Sequence, residues 1–163
     1  MPALRAGERS GQDRGARGAR GETAGGLSLF DGEPQEGTHR TLTLEFPWPP
    51  KELSPNARLE RFAKARVFKK QKHAACLLTK ARASGHERVR LAGDGRMNIT
   101  LVCTPPTMRY RDEDNLLATL KAHFDGIAQA LGVDDHTFHF REQEWHPPEK
   151  PGRLVIVLDW EQA

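Results

Sequence analysis

A chain of 163 residues, 37% hydrophobic and 29% charged, has room for one folded domain but is too polar to pack along its whole length. No apolar run is long enough to cross a membrane, and the first twenty residues place no apolar core behind their charges, so neither a membrane span nor a secretory signal is expected. The net charge is only +3, yet residues 51–90 hold twelve Lys or Arg against three acids, while many of the acids lie from Asp112 onward. A basic half beside an acidic focus suits a polyanion held by one and a metal held by the other; a solvated, lysine-rich helix face accounts for the basic half equally well.

Residues 1–38 are rich in Gly, Arg and small side chains and show neither strand nor helix period, which predicts a disordered Arg/Gly-rich tail ahead of a folded domain at 39–163. Residues 41–46 alternate polar and apolar, as a half-buried strand does, and Pro47-Trp48-Pro49-Pro50 stops it because proline has no N–H for the ladder. Residues 57–83 lack Gly and Pro and place Leu59, Phe62, Ala63, Val67, Ala74, Leu77 and Leu78 at near-helical spacing, which predicts a long basic helix.

Residues 97–104 read as a second strand, broken by Pro105-Pro106. Residues 115–131 read as a second helix with one apolar stripe through Leu116, Leu117, Leu120, Phe124, Ile127, Ala128 and Leu131, stopped by Gly132. Residues 137–145 and 154–160 read as two more strands joined by a proline-rich turn, expected to form an antiparallel hairpin. The element order β-α-β-α-β-β points to an α/β (α+β) fold, with a small mixed sheet of about four strands packed on two main helices. Cys76 and Cys103 each fall in regular structure without metal-ligand neighbours, so both are expected as buried free thiols in a reducing cytoplasm.

The chemistry concentrates in Arg109-Tyr110-Arg111-Asp112-Glu113-Asp114-Asn115. On extended backbone, side chains two apart point the same way, so Asp112 and Asp114 would project together and repel unless a cation neutralises them. Hard carboxylate oxygens suit Mg²⁺ or Mn²⁺. Asp114 also suits the N-cap of the following helix, which explains one aspartate but not two. Asp134-Asp135 follows the same helix, about 25 Å along at ~1.5 Å per residue, and reaches the first pair only if the chain turns back. Lys121 lies two helical turns after Asp114, on the side of the helix start, where its ammonium would face a scissile phosphate; it stands equally at i, i+4 from Asp125 as an ordinary surface pair. His136 and His139 read as loop or strand residues.

The whole pattern resembles the RusA family of Holliday junction resolvases. Leu44-Glu45-Phe46-Pro47-Trp48-Pro49-Pro50, with Ser54-Pro55-Asn56, resembles the family's opening strand and turn. Arg111-Asp112-Glu113-Asp114-Asn115-Leu116, Phe124-Asp125-Gly126-Ile127 and Gly132-Val133-Asp134-Asp135 resemble its acidic core, mid-helix Asp and closing Asp-Asp. The resemblance spans residues 41–160. It implies a homodimer that binds four-way DNA junctions and resolves them with paired, Mg²⁺-dependent nicks in recombination and repair. By motif position Asp112, Asp114 and Asp135 match the catalytic acids and metal ligands, with Asp134 beside them. Arg109, Arg111, Lys64, Arg66, Lys69, Lys70 and Lys72 would then hold the DNA backbone. The family's usual lysine, one turn after the Asp-Asn pair, is Ala118 here; the segment between Asp114 and Asp125 is three residues longer, and Lys121 keeps the lysine's spacing to Asp125. A branched-DNA-binding protein without catalysis and a nuclease for flaps or forks are the rival expectations.

Overall fold

The computed structural model describes residues 38–83, 88–108 and 113–163. The expected tail falls outside them, except that Thr38 already belongs to the first strand. The elements follow one another as β1 (Thr38–Pro47), α1 (Arg61–Arg82), β2 (Met97–Thr104), α2 (Glu113–Leu131), β3 (Phe138–Trp145) and β4 (Arg153–Gln162), with single 3₁₀ turns at Lys51–Leu53 and Asp135–Thr137. The order β-α-β-α-β-β and the α+β class are those expected.

One four-stranded mixed sheet, in the order β1-β4-β2-β3, forms the platform. β4 runs antiparallel to both β1 and β2, and β3 pairs parallel with β2 across the α2 crossover. The expected β3–β4 hairpin is therefore absent: β2 lies between the two strands. The reason is in their side chains. β4 buries Leu154, Ile156, Leu158 and Trp160 on one face and half-buries Val155 and Val157 on the other, so it belongs in the middle of a sheet. β3 exposes Arg141, Glu142 and Glu144, and as an edge strand it needs only one neighbour.

The core joins the inward residues Leu44 and Phe46, Met97 through Cys103, and Leu154 through Trp160 to the apolar stripe of α2. Leu120 and Ile127 are fully buried, and each side chain of that size contributes on the order of 2 kcal/mol through apolar surface removed from water. α1 packs on α2 at Gly126, where an added Cβ would stand 2.8 Å from the Ala75 Cβ and collide with the Lys72 carbonyl. The glycine is there so the two helix backbones can touch.

α1 begins at Arg61, four residues later than the pattern suggests. Residues before it are held in turns instead, with the Ala57 N–H donating to the Ser54 carbonyl and the Leu59 N–H to the Ala57 carbonyl, and Glu60 makes no side-chain cap. Both cysteines are free and buried as expected. Burial, and secondarily Glu113, pushes the Cys103 thiol up to about 12, so it stays protonated and inert. No helix among the described residues is long and apolar enough to cross a membrane.

Candidate active site

α2 starts at Glu113, so Asp114 is its second residue rather than its cap. Its carboxylate sits in the first turn, where the partial positive charge of the helix N-terminus favours it. Arg109, Arg111 and Asp112 lie outside the described residues.

The C-terminal half of α2 is where charges come together. Gly132, at φ +71°, ends the helix in the left-handed conformation, and both its N–H and that of Val133 donate to the Ala128 carbonyl. The chain then folds back through the Asp135–Thr137 turn into β3. Asp134 builds that turn. Its carboxylate accepts the His136 N–H at 3.2 Å and lies 2.7 Å from His136 Nδ1, while its own carbonyl accepts from Thr137. The bonds to His136 hold the Asp134 carboxyl below the usual carboxylate range. Asp134 is thus engaged locally.

Asp135 is aimed elsewhere. Its Oδ2 lies 3.5 Å from Lys121 Nζ, which also lies 3.4 Å from Asp125 Oδ1. One ammonium bridges two carboxylates from different elements, one on α2 and one after it. The charge of Asp125, with a smaller contribution from Asp135, raises the Lys121 ammonium above its ordinary value, so it is a fixed cation near neutrality. The Lys121–Asp125 half is the surface pair that the spacing also allowed; the Asp135 half brings in the residue fourteen positions on. Asp125 was not among the expected site residues. Its signal was the i, i+4 spacing from Lys121 together with its place one residue before the glycine that fixes the helix crossing.

An open cavity of about 220 Å³ lies at this cluster, lined by Leu117, Ala118, Lys121, Phe124, Asp125, Asp135, Phe138 and Phe140. Phe124 anchors its aromatic wall, edge-on to Phe140 at 4.9 Å and to Phe138 at 6.2 Å between ring centres. Ala118 lines the same space one turn before Lys121. Asp114 stands about 10 Å up the helix axis from Lys121, at ~1.5 Å per residue. No group of three or more His, Cys, Asp or Glu is drawn together among the described residues.

On the expected DNA face, Arg66, Lys69 and Lys70 are exposed along α1, and Lys72 is half-buried near the helix crossing. Lys64 donates to the Ser54 carbonyl at 3.2 Å, which ties it to the turn before the helix. His139 lies half-buried in β3 and His136 serves the Asp134 turn.

No protein-family model matches the chain. It is similar to a protein of Xylella fastidiosa strain Temecula1, described as an uncharacterized protein, with 38% identity over 122 residues that cover 75% of this chain and 78% of the relative. At that identity and coverage, the chain belongs to the family of this Xylella fastidiosa protein.

Proposed function

We propose that the chain is a Mg²⁺-dependent, structure-selective endodeoxyribonuclease of the RusA type that resolves Holliday junctions by paired nicks. The observation that carries the reading is Lys121 between Asp125 and Asp135 in the lining of a cavity, within the segment whose motifs resemble that family. Carboxylate oxygens are the hard donors that Mg²⁺ takes, and Asp135 Oδ2 here pairs with the Lys121 ammonium. Asp112 and Asp114 are the further ligands in this reading, with Mn²⁺ able to replace Mg²⁺. Bound Mg²⁺ would supply an activated water and offset the charge that develops on the phosphate.

The chain's own groups divide the remaining work. Asp125 positions Lys121, since the helical i, i+4 geometry fixes the pair. Lys121 directs its ammonium toward a phosphate oxygen or the leaving oxygen. The α1 cations Lys64, Arg66, Lys69, Lys70 and Lys72, with Arg109 and Arg111, hold the DNA backbone. Nicks in opposed strands need two copies of the site, so the reading includes a homodimer. It also places the protein in the cytoplasm, where two unpaired cysteines remain reduced.

The test offers a synthetic four-way junction, a flap and a fork side by side, with Mg²⁺ and with chelator. Symmetric nicks in the junction that vanish with chelator are expected; faster cutting of flaps or forks selects a different nuclease. Ala118 favours a second reading, a branched-DNA-binding protein without catalysis. Tight junction binding with no nick in any divalent metal selects that one.

A further inference from the structure

A second groove, sharing no described residue with the Lys121 cavity, gathers positive charge. It measures about 230 Å³ and is lined by Arg40 from β1, Arg82 from the end of α1 and Arg88 after it, over a floor that includes Leu131 and Trp160. No carboxylate lines it among the described residues. The three arginines are exposed, and among the described residues none of them has an ion pair or side-chain hydrogen bond. Compare Arg96, which lies 3.4 Å from Asp94, and Arg141, which donates to Asn98 at 2.7 Å.

The walls of this groove are fixed. Arg40 is registered opposite Trp160 in the β1–β4 ladder, so it projects on the face of the sheet that carries the helices. Arg82 closes the last turn of α1. The segment after Arg88 is pinned beside the end of β4: the Ala163 N–H donates to the Arg90 carbonyl, the Ala92 N–H to the Glu161 carbonyl, and Leu91 bridges to Gln162. Three arginines thus come to one groove from three separately anchored segments, and a guanidinium matches phosphate oxygens in a bidentate fork.

The groove also continues. Arg82 lines an adjoining cavity of about 470 Å³ where Lys150 and Arg153 stand, here with Glu45 and Glu149. Five cations spread over two cavities that share Arg82 suit a chain of phosphates better than one isolated anion. We propose that the Arg40–Arg82–Arg88 groove is a binding site for the phosphodiester backbone of duplex nucleic acid, separate from the Lys121 cavity. It would hold one arm of a duplex whatever chemistry occurs elsewhere.

The experiment measures the affinity of the full chain for a fluorescently labelled blunt DNA duplex across a salt series, in EDTA so that nothing is cut. The combined Arg40→Gln, Arg82→Gln, Arg88→Gln variant should lower the slope of log K against log salt by about 2–3, since each lost phosphate contact removes ~0.9. The single Arg88→Gln should lower it by about 0.9, and this variant decides the matter if the triple one folds poorly. A control losing the same charge elsewhere, Lys51→Gln, Arg58→Gln, Arg96→Gln, should change it by less than about 1. An unchanged slope in the groove variants, or an equal drop in the control, overturns the proposal. So does thermal stabilisation by inorganic phosphate that the triple variant abolishes while duplex binding stays intact, which marks a small-anion site. Because the readout is binding without metal, this result is independent of whether the protein nicks junctions.

Discussion

α2 and α1 lie against each other, yet α2 buries ten of its nineteen residues and α1 buries three of its twenty-two. Both helices carry charge, but they hold it differently. On α2, Lys121 and Asp125 project from a helix packed into the core, and Lys121 Nζ lies 3.4 Å from Asp125 Oδ1. On α1, Arg66, Lys69 and Lys70 project from an outer face, where position matters little and charge matters more. A buried helix suits a site that must place atoms; an exposed one suits a site that only has to attract a polyanion. The same contrast explains why substitutions on the two helices should differ so widely.

The sharpest way to break the comparison is to make the same change on each helix. Leu120 is fully buried and Leu77 is 55% exposed. Leu120→Ala should cost about 3 kcal/mol by denaturant unfolding, and Leu77→Ala should stay within ~0.5 kcal/mol. Equal losses would show that α1 is as much a part of the core as α2.

Next comes His123, on α2, fully buried and edge-on to Phe46 at 5.1 Å, with no hydrogen-bond partner at Nδ1 among the described residues. Burial lowers its pKa from 6.5 to about 4. The unfolded chain therefore takes up the proton first, so stability is full above pH 6.5 and falls as the pH drops toward 4. The loss should approach about 3 kcal/mol across that window, at ~1.4 kcal/mol per unit. Unfolding followed against pH in wild type and His123→Phe checks it: the variant should lose that part of the slope.

Gly126→Ala probes the seam between the helices. The added methyl meets the Ala75 side chain and the Lys72 carbonyl, and should cost about 2 kcal/mol. A neutral result would mean the helices separate freely. The smallest effect belongs to the outer face: Lys69→Gln with Lys70→Gln should leave the melting temperature unchanged, within ~0.5 kcal/mol, while weakening DNA binding and reducing its salt dependence.

How far the fold could be read from the chain follows the same physical division. β2 matched its expected ends, because Pro105-Pro106 leaves it no room to continue. The α2 stripe through Leu116, Leu120, Phe124, Ile127 and Leu131 is buried as its spacing implies. Strand pairing was another matter. The proline-rich link between β3 and β4 suggested a hairpin, but pairing is settled by which strand needs two neighbours, and Val155 and Val157 on the second face of β4 carried that information. Within the site, Lys121 and Asp135 were expected and meet. Asp125 was passed over because an i, i+4 pair looks the same whether it supports a third residue or merely faces water. Asp112, Arg109 and Arg111 lie outside the described residues. Asp134, taken as a flanking ligand, spends its carboxylate on the His136 turn, a local bond that the sequence pair Asp-Asp does not reveal.

The central claim is that the cluster at the C-terminal half of α2 cuts branched DNA, and Asp135→Asn tests it most directly. Wild type and variant are compared on a synthetic four-way junction, nicking with Mg²⁺ and binding in EDTA. The expected result is nicking by wild type, a loss of about 100-fold or more in the variant, and junction binding within about twofold. Nicking by the variant at the wild-type rate, or wild-type nicking that survives chelation, would contradict the account.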